Sequence, residues 1–332
     1  MAAVLDKSFY KDFQVSRSFI YHYYTTPAID SQPVLVFIHG FGVASQDWRH
    51  QVRFFQGLGY GIIAPDSLGY GGSSTITDPD QLKLSSVAKD FVELLQHEGI
   101  EKAIFIGQGG GCPVISRIAQ LFPDVVVAAA FLAIPYSAPT PPPFDLDQVL
   151  KTQKEVFGYE LFGYWGFIGK DPDAPAVVSA NFEAFFNVIY PEDPRAWITH
   201  FGPSGMLRKH LLSGETLPTP SWFASEEREF QYNTLKTFDL SGPFTYYRAY
   251  LENVQSLDGE SVPRHSYSMT KPVFFGGGTE DYISLPSVGK QTTVLLCDNS
   301  KITIRDFKAT HWMHLQVPDE VNKELLEWIQ CL

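Results

Sequence analysis

The hydrophobic residues of this chain gather in short unbroken runs, separated by stretches of mixed spacing. Pro33-Val34-Leu35-Val36-Phe37-Ile38 is one run, and it stops at His39-Gly40-Phe41-Gly42. Gly61-Ile62-Ile63-Ala64 is a second, Ala103-Ile104-Phe105-Ile106 a third, and Val126 to Ala133 a fourth. Pro272-Val273-Phe274-Phe275 and Ile302-Thr303-Ile304 follow much later. Extended runs that are apolar on both faces predict strands of a parallel sheet covered on both sides. Between the runs a helical period takes over. Leu84 to His97 carries Val87, Phe91, Leu94 and Leu95 at helical spacing. Val321 to Ile329 carries Val321, Leu325, Trp328 and Ile329 after the start signal Pro318-Asp319-Glu320. This alternation predicts a doubly wound α/β sheet.

The alternation breaks after the fourth run. Residues 136–265 open on Ala138-Pro139-Thr140-Pro141-Pro142-Pro143, which continues neither a strand nor a helix. Aromatic residues then crowd together: Phe157, Tyr159, Phe162, Tyr164, Trp165, Phe167, Phe182, Phe185, Phe186 and Tyr190. The stretch reads as a helical cap inserted over the carboxyl edge of the sheet, where open α/β sheets keep their clefts. The expected division is a core of residues 1–135 and 266–332, with a cap of 136–265. Most of these aromatics serve as cap core, and a cap this aromatic implies an apolar, water-poor pocket.

Composition narrows the picture. The chain has 332 residues, 44% hydrophobic, enough for a large core with an inserted subdomain. A formal charge of −12 argues against nucleic acid or an anionic membrane as the main partner. Cys112, Cys297 and Cys331 are scattered, so neither a disulfide framework nor a metal site is expected. The segment Met1 to Lys7 lacks the apolar stretch of a signal peptide. The longest apolar run, Val125 to Pro135, is too short to span a bilayer. A cytoplasmic location and no membrane span are the expectations.

Chemistry-bearing residues fall at the ends of the predicted strands. The glycine turn His39-Gly40-Phe41-Gly42 would point backbone N–H groups into the cleft, with Phe41 as a donor to a developing oxyanion. Ala103 to Val114 reads as strand, glycine turn and helix start, with Gly109 at the middle of the turn and Gly110 as the next N–H donor. Thr279-Glu280-Asp281 offers a carboxylate, and Thr310-His311-Trp312 offers a base. The glycines do not make a dinucleotide fingerprint. GxGxxG from Gly107 requires glycine at Cys112, and from Gly109 at Val114.

The order of elbow, acid and histidine matches the α/β-hydrolase fold. The chain resembles the epoxide hydrolase branch of that fold nearly end to end. Gln46-Asp47-Trp48-Arg49 and Ala64-Pro65-Asp66-Ser67-Leu68-Gly69-Tyr70-Gly71 resemble its loops. Gly242-Pro243-Phe244-Thr245-Tyr246-Tyr247-Arg248 resembles the cap motif that carries a catalytic tyrosine, here Tyr247. Phe162-Gly163-Tyr164-Trp165 resembles the segment of a second tyrosine, here Tyr164. The resemblance implies a cofactor-independent hydrolase acting on an apolar small molecule, an epoxide. An elbow aspartate attacks the ring, the tyrosines bind the ring oxygen, and Asp281–His311 activates water against the ester. Trp48, Trp312 and His39 are candidates to line the substrate pocket.

Three positions depart from that pattern. Gly109 stands where the nucleophilic aspartate is expected, Gly42 where the turn has proline, and Gln108 where histidine is common. Glycine removes the covalent route. Three readings follow: epoxide opening by water or an internal hydroxyl without a covalent nucleophile; a hydrolase inactivated at Gly109; or a small-molecule-binding protein on the same fold.

Overall fold

A computed structural model describes residues 4–332; Met1 to Ala3, the start of the segment read above for a signal peptide, lie outside it. Eight strands form one sheet: β1 (Tyr10–Gln14), β2 (Ile20–Thr26), β3 (Val34–Ile38), β4 (Gly61–Pro65), β5 (Ala103–Gln108), β6 (Val126–Leu132), β7 (Val273–Gly278) and β8 (Ile302–Phe307). Their spatial order is β1-β2-β4-β3-β5-β6-β7-β8. The six apolar runs are the parallel strands, in register Leu35↔Ile104, Gly107↔Phe131 and Phe131↔Phe275. The antiparallel pair β1–β2 extends the sheet at one edge. It was not among the predicted strands, although Ile20-Tyr21-His22-Tyr23-Tyr24-Thr25 is rich in aromatic and β-branched residues that favour extended backbone.

Helices cover both faces. In the core these are α1 (Arg49–Gly57), α2 (Leu84–His97) and α3 (Gly111–Leu121). Between β6 and β7 come α4 (Leu146–Phe157), α5 (Tyr164–Lys170), α6 (Ala174–Ala180), α7 (Phe182–Ile189), α8 (Met206–Ser213), α9 (Ser225–Lys236), α10 (Ser241–Leu251) and α11 (Val254–Gly259). The chain ends with α12 (Pro286–Leu296), α13 (Met313–Gln316) and α14 (Pro318–Ile329). On one face Val87 and Phe91 of α2 and Ile115 and Ile118 of α3 pack on Val36, Phe105 and Phe131. On the other, Val52 and Phe55 of α1 and Val321 and Leu325 of α14 pack on Phe37, Ile106 and Phe274. Each fully buried side chain of this size is worth about 1.5–3 kcal/mol of transfer free energy. The stripe read on α14 is the one that faces the sheet.

Helices α5 to α10 build a separate aromatic core, with Phe167, Phe185, Phe186, Trp197, Phe201 and Phe244 buried together. Two buried polar ties bind this layer to the sheet layer. Arg117 of α3 pairs with Asp258 of α11, whose carboxylate also accepts the Ser85 N–H at 3.0 Å. Asp47, just before α1, accepts from Gln231 Nε2 of α9 at 3.0 and 3.1 Å, while neighbouring Arg49 pairs with Glu227. Strand order reverses at β3, so the carboxyl ends of β3 and β5 open side by side into the crevice under the helices.

Candidate active site

The elbow lies at the end of β5. Gly109 has φ +53°, a left-handed conformation that glycine adopts without the Cβ penalty other residues meet. Its N–H donates to Leu132 O at 3.1 Å, and its carbonyl accepts Cys112 N–H at 3.0 Å, turning the chain directly into α3. Gly40 packs beside this turn so closely that a Cβ there would lie 2.8 Å from Gln108 O and 2.9 Å from Gly110 N. The two glycine turns therefore lie side by side, with a Cβ on Gly110 only 3.7 Å from the Phe41 nitrogen. Neither N–H has a hydrogen-bond partner among the described residues. Gly42 has φ +74°, which proline, fixed near −65°, cannot adopt. The departure from the family turn is thus built into the backbone.

The acid and the base come from two loops laced together by backbone bonds. Thr279 N–H donates to Phe307 O at 2.8 Å and Glu280 N–H to Ala309 O at 3.0 Å. This holds Asp281 Oδ2 2.6 Å from His311 Nδ1. Asp281 Oδ1 accepts the Ile283 and Ser284 amides at 3.0 and 2.8 Å, which fixes the carboxylate. With its proton on Nδ1, the imidazole presents Nε2 as an acceptor. Nε2 lies 3.2 Å from where a Cβ on Gly109 would stand. Gln108 adds a support that its sequence position did not announce: its Nε2 donates to the His311 carbonyl at 3.1 Å. His314 is different. It is buried, and burial first and the neighbouring His311 second hold it well below its ordinary pKa.

The site also holds a continuous series of rings. From His311, ring centroids step 5.8 Å to Trp197, 5.5 Å to Phe201, 4.2 Å to Tyr164, 5.7 Å to Tyr247 and 5.0 Å to Phe41. The series begins at His311 and ends at Phe41, with both tyrosines between them. Burial pushes the Tyr164 phenol up to about 12 and that of Tyr247 well above its ordinary value. Both stay neutral and able to donate. The adjacent Tyr246 is spent on structure, its hydroxyl donating to Leu68 O at 3.0 Å. Trp197 and Phe201 escaped the sequence reading. They occupy a π-helical turn, Trp197–Phe201, whose aromatic pair at i, i+4 was the available signal.

Two residues expected to line the pocket belong to the scaffold. Trp48 is wholly buried beneath the sheet with Val52 and Phe55, its ring 5.1 Å from Phe37. His39 has both ring nitrogens engaged: Nε2 accepts Ser67 N–H at 2.8 Å and Nδ1 faces Gly40 O at 2.9 Å. The third, Trp312, packs 4.8 Å from Tyr190, and its indole N–H donates to Ile189 O at 3.0 Å. It braces the histidine loop against the end of α7.

Fold and site together define a class. A glycine elbow between a parallel strand and a helix, paired amides, and an acid–histidine pair on the next loops are the parts of a hydrolase. The chain belongs to the alpha/beta hydrolase fold family, which matches residues 33–318. Its sequence relatives are epoxide hydrolases, in keeping with the resemblance in the motifs. It is 25% identical over 309 residues to epoxide hydrolase A of Mycobacterium tuberculosis, covering 90% of this chain and 91% of that protein. It is 28% identical over 313 residues to epoxide hydrolase 1 of Siraitia grosvenorii, covering 90% and 92%. Bifunctional epoxide hydrolase 2 of Sus scrofa is 25% identical over 306 residues, and there the chain spans only 52% of the relative's length. An epoxide hydrolase from an endophytic Streptomyces shares the fold, with a TM-score of 0.79 at 23% identity over 99% of this chain and 96% of that one. Among the described residues no helix is long and apolar enough to cross a membrane.

Proposed function

We propose that this protein opens an epoxide ring on an apolar small molecule without a covalent nucleophile and without a cofactor. His311 Nε2 takes a proton from water or from a hydroxyl of the substrate. The freed oxygen bonds to an epoxide carbon, the ring C–O bond breaks, and its electron pair goes to the ring oxygen. That oxygen takes a proton from the phenol of Tyr164 or Tyr247, and the imidazolium proton returns through solvent to the phenolate. Water gives a diol; an internal hydroxyl gives a cyclic ether. Phenol donors are strong where water is kept out, and they act on charge that develops only as the ring opens. The observation that carries this reading is the paired His311, its free nitrogen aimed at the elbow, joined through a series of rings to two neutral tyrosines, Tyr164 buried and Tyr247 half-buried.

A second reading rests on the elbow itself. Gly109 keeps a nucleophile's backbone geometry, and apart from the His311 ring a Cβ there would meet nothing nearer than 3.8 Å. A hydrolase that has lost its aspartate fits this equally. One assay separates the two. The chain as given, Gly109→Asp and His311→Ala are incubated with aromatic and aliphatic epoxides, with chiral analysis of products. Turnover by the chain itself, abolished in His311→Ala, supports the nucleophile-free route. Turnover by Gly109→Asp alone, with a trapped substrate ester, supports the lost nucleophile. Tight binding with no turnover by either supports a binding protein.

A further inference from the structure

Removing the nucleophile's side chain leaves its supports in place. The Phe41 and Gly110 amides have no partner among the described residues. Gly110 is also the residue before α3, an 11-residue helix with no acidic residue in its first turn to neutralise its positive end. The second, independent observation is His311. It is only 8% exposed, and Nε2, which no described residue engages, lies 3.2 Å from where a Cβ on Gly109 would stand. Two neighbouring unpaired amides, a helix N-terminus and an imidazole with one free nitrogen make the elements of an anion site.

We infer that the space in front of Gly109 is a seat for a carboxylate that the protein does not itself supply. The anion accepts from Phe41 N–H and Gly110 N–H, and from the Nε2–H that His311 gains when it takes up the acid's proton, with Asp281 balancing the imidazolium. The ligand class is a small or chain-borne carboxylic acid, from solvent or from the substrate. The chemistry of the seat rests on the epoxide reading above; its binding does not. A seated carboxylate oxygen bonds to an epoxide carbon while the ring C–O bond breaks. The electron pair goes to the ring oxygen, which takes a proton from Tyr164 or Tyr247, replaced from solvent. A solvent carboxylate yields a hydroxy ester. An epoxy acid of suitable chain length isomerises to a hydroxy lactone, with no other reactant consumed.

The test starts with binding. Phenylacetate and its neutral isostere phenylacetamide are titrated into the full chain by calorimetry. The acid is expected to bind saturably and the amide roughly tenfold or more weakly, the loss of about one charge-assisted hydrogen bond. Gly109→Asp, which would place its own carboxylate in the seat, is expected to weaken phenylacetate by roughly the same factor or more. In case that variant misfolds, the unaltered chain carries a second readout: the labelled amide resonances of Phe41 and Gly110 shift together and saturate with phenylacetate. Equal binding of acid and amide, or titration that leaves both resonances unmoved, overturns the seat. Products identify the source. Styrene oxide with acetate yields a hydroxy acetate ester if the anion comes from solvent, whereas a 4,5-epoxy acid yields a hydroxy lactone, competed by acetate, if it comes with the substrate. Saturable binding with epoxide turned over to diol but to neither ester nor lactone overturns the chemical half. Failure of the epoxide reading is recognised separately, as phenylacetate bound normally by a chain that turns over no epoxide.

Discussion

At the scale of the residue, neighbouring tyrosines make the sharpest contrast. Tyr247 packs against Tyr164 and Phe41, while Tyr246 donates to Leu68 O. Replacing each by phenylalanine removes one hydroxyl and almost no volume. Tyr247→Phe and Tyr164→Phe are expected to lower kcat roughly 10²–10³-fold each, as the loss of one preorganised donor does. Tyr246→Phe is expected to leave kcat within about threefold and to lower Tm, at about 1 kcal/mol for the lost hydrogen bond. Steady-state rates and thermal melts on the three variants check this; equal losses in kcat would remove the cap donors from the mechanism. The strand ends that bring Asp281 beside His311 were legible because each residue closes a local strand pattern. Gln108 was not legible as a support of His311, since its partner is 203 residues away in sequence. Trp48 and His39 misled because an aromatic or imidazole side chain reads alike whether it faces a cleft or closes a core.

At the scale of the element, the docking of α9 on the loop before α1 carries a titratable group. Asp47 is buried, and burial pushes its carboxyl up to about 7, against the lowering pull of Arg49 and of the Gln231 hydrogen bond. Glu227, paired with Arg49, adds to the rise. In the unfolded chain Asp47 returns to 3.8. Between those values the folded protein holds a proton that the unfolded one has lost, so stability falls as pH rises through this window and levels off above it. Gln231 Oε1 is buried and unpaired, and a protonated Asp47 supplies the donor it lacks. Asp47→Asn is expected to flatten the fall in Tm between pH 5 and 8, leaving a neutral amide pair in its place. An unaltered pH slope in that variant would show that Asp47 does not set it. None of this could be read from the chain, because Asp47 and Gln231 lie 184 residues apart and neither belongs to a periodic pattern. Strands β3 to β8 and helices α2 and α14 were legible because their periodicity is local. β1 and β2 were not, because their aromatic residues were read only as composition.

At the scale of the whole molecule, the layers are joined through few buried charges. Arg117 and Asp258 are each about 4% exposed at the side chain, and they tie the helix that starts at the elbow to the last helix before β7. Arg117→Ala leaves a carboxylate buried without its partner and is expected to destabilise by about 3–5 kcal/mol. Replacing both residues with apolar ones of similar volume is expected to recover much of that loss. Denaturant unfolding of the single and double variants measures the difference. A double variant as unstable as the single would mean that the pair supplies net stability. The proline run and the aromatic density mark a change of pattern after β6, where the helices α4 to α11 follow. How its helices meet the sheet was decided by such long-range pairs, which no window of sequence contains.

The ring series has an optical consequence. Trp197 is stacked on Phe201 on one side and lies 5.8 Å from the His311 imidazole on the other. A protonated imidazole quenches an adjacent indole, whereas a neutral one does so far less. The Trp197 indole is therefore placed to sense the charge of the neighbouring imidazole. The difference in emission between the chain and Trp197→Phe, followed against pH or during turnover, reports when His311 holds its proton.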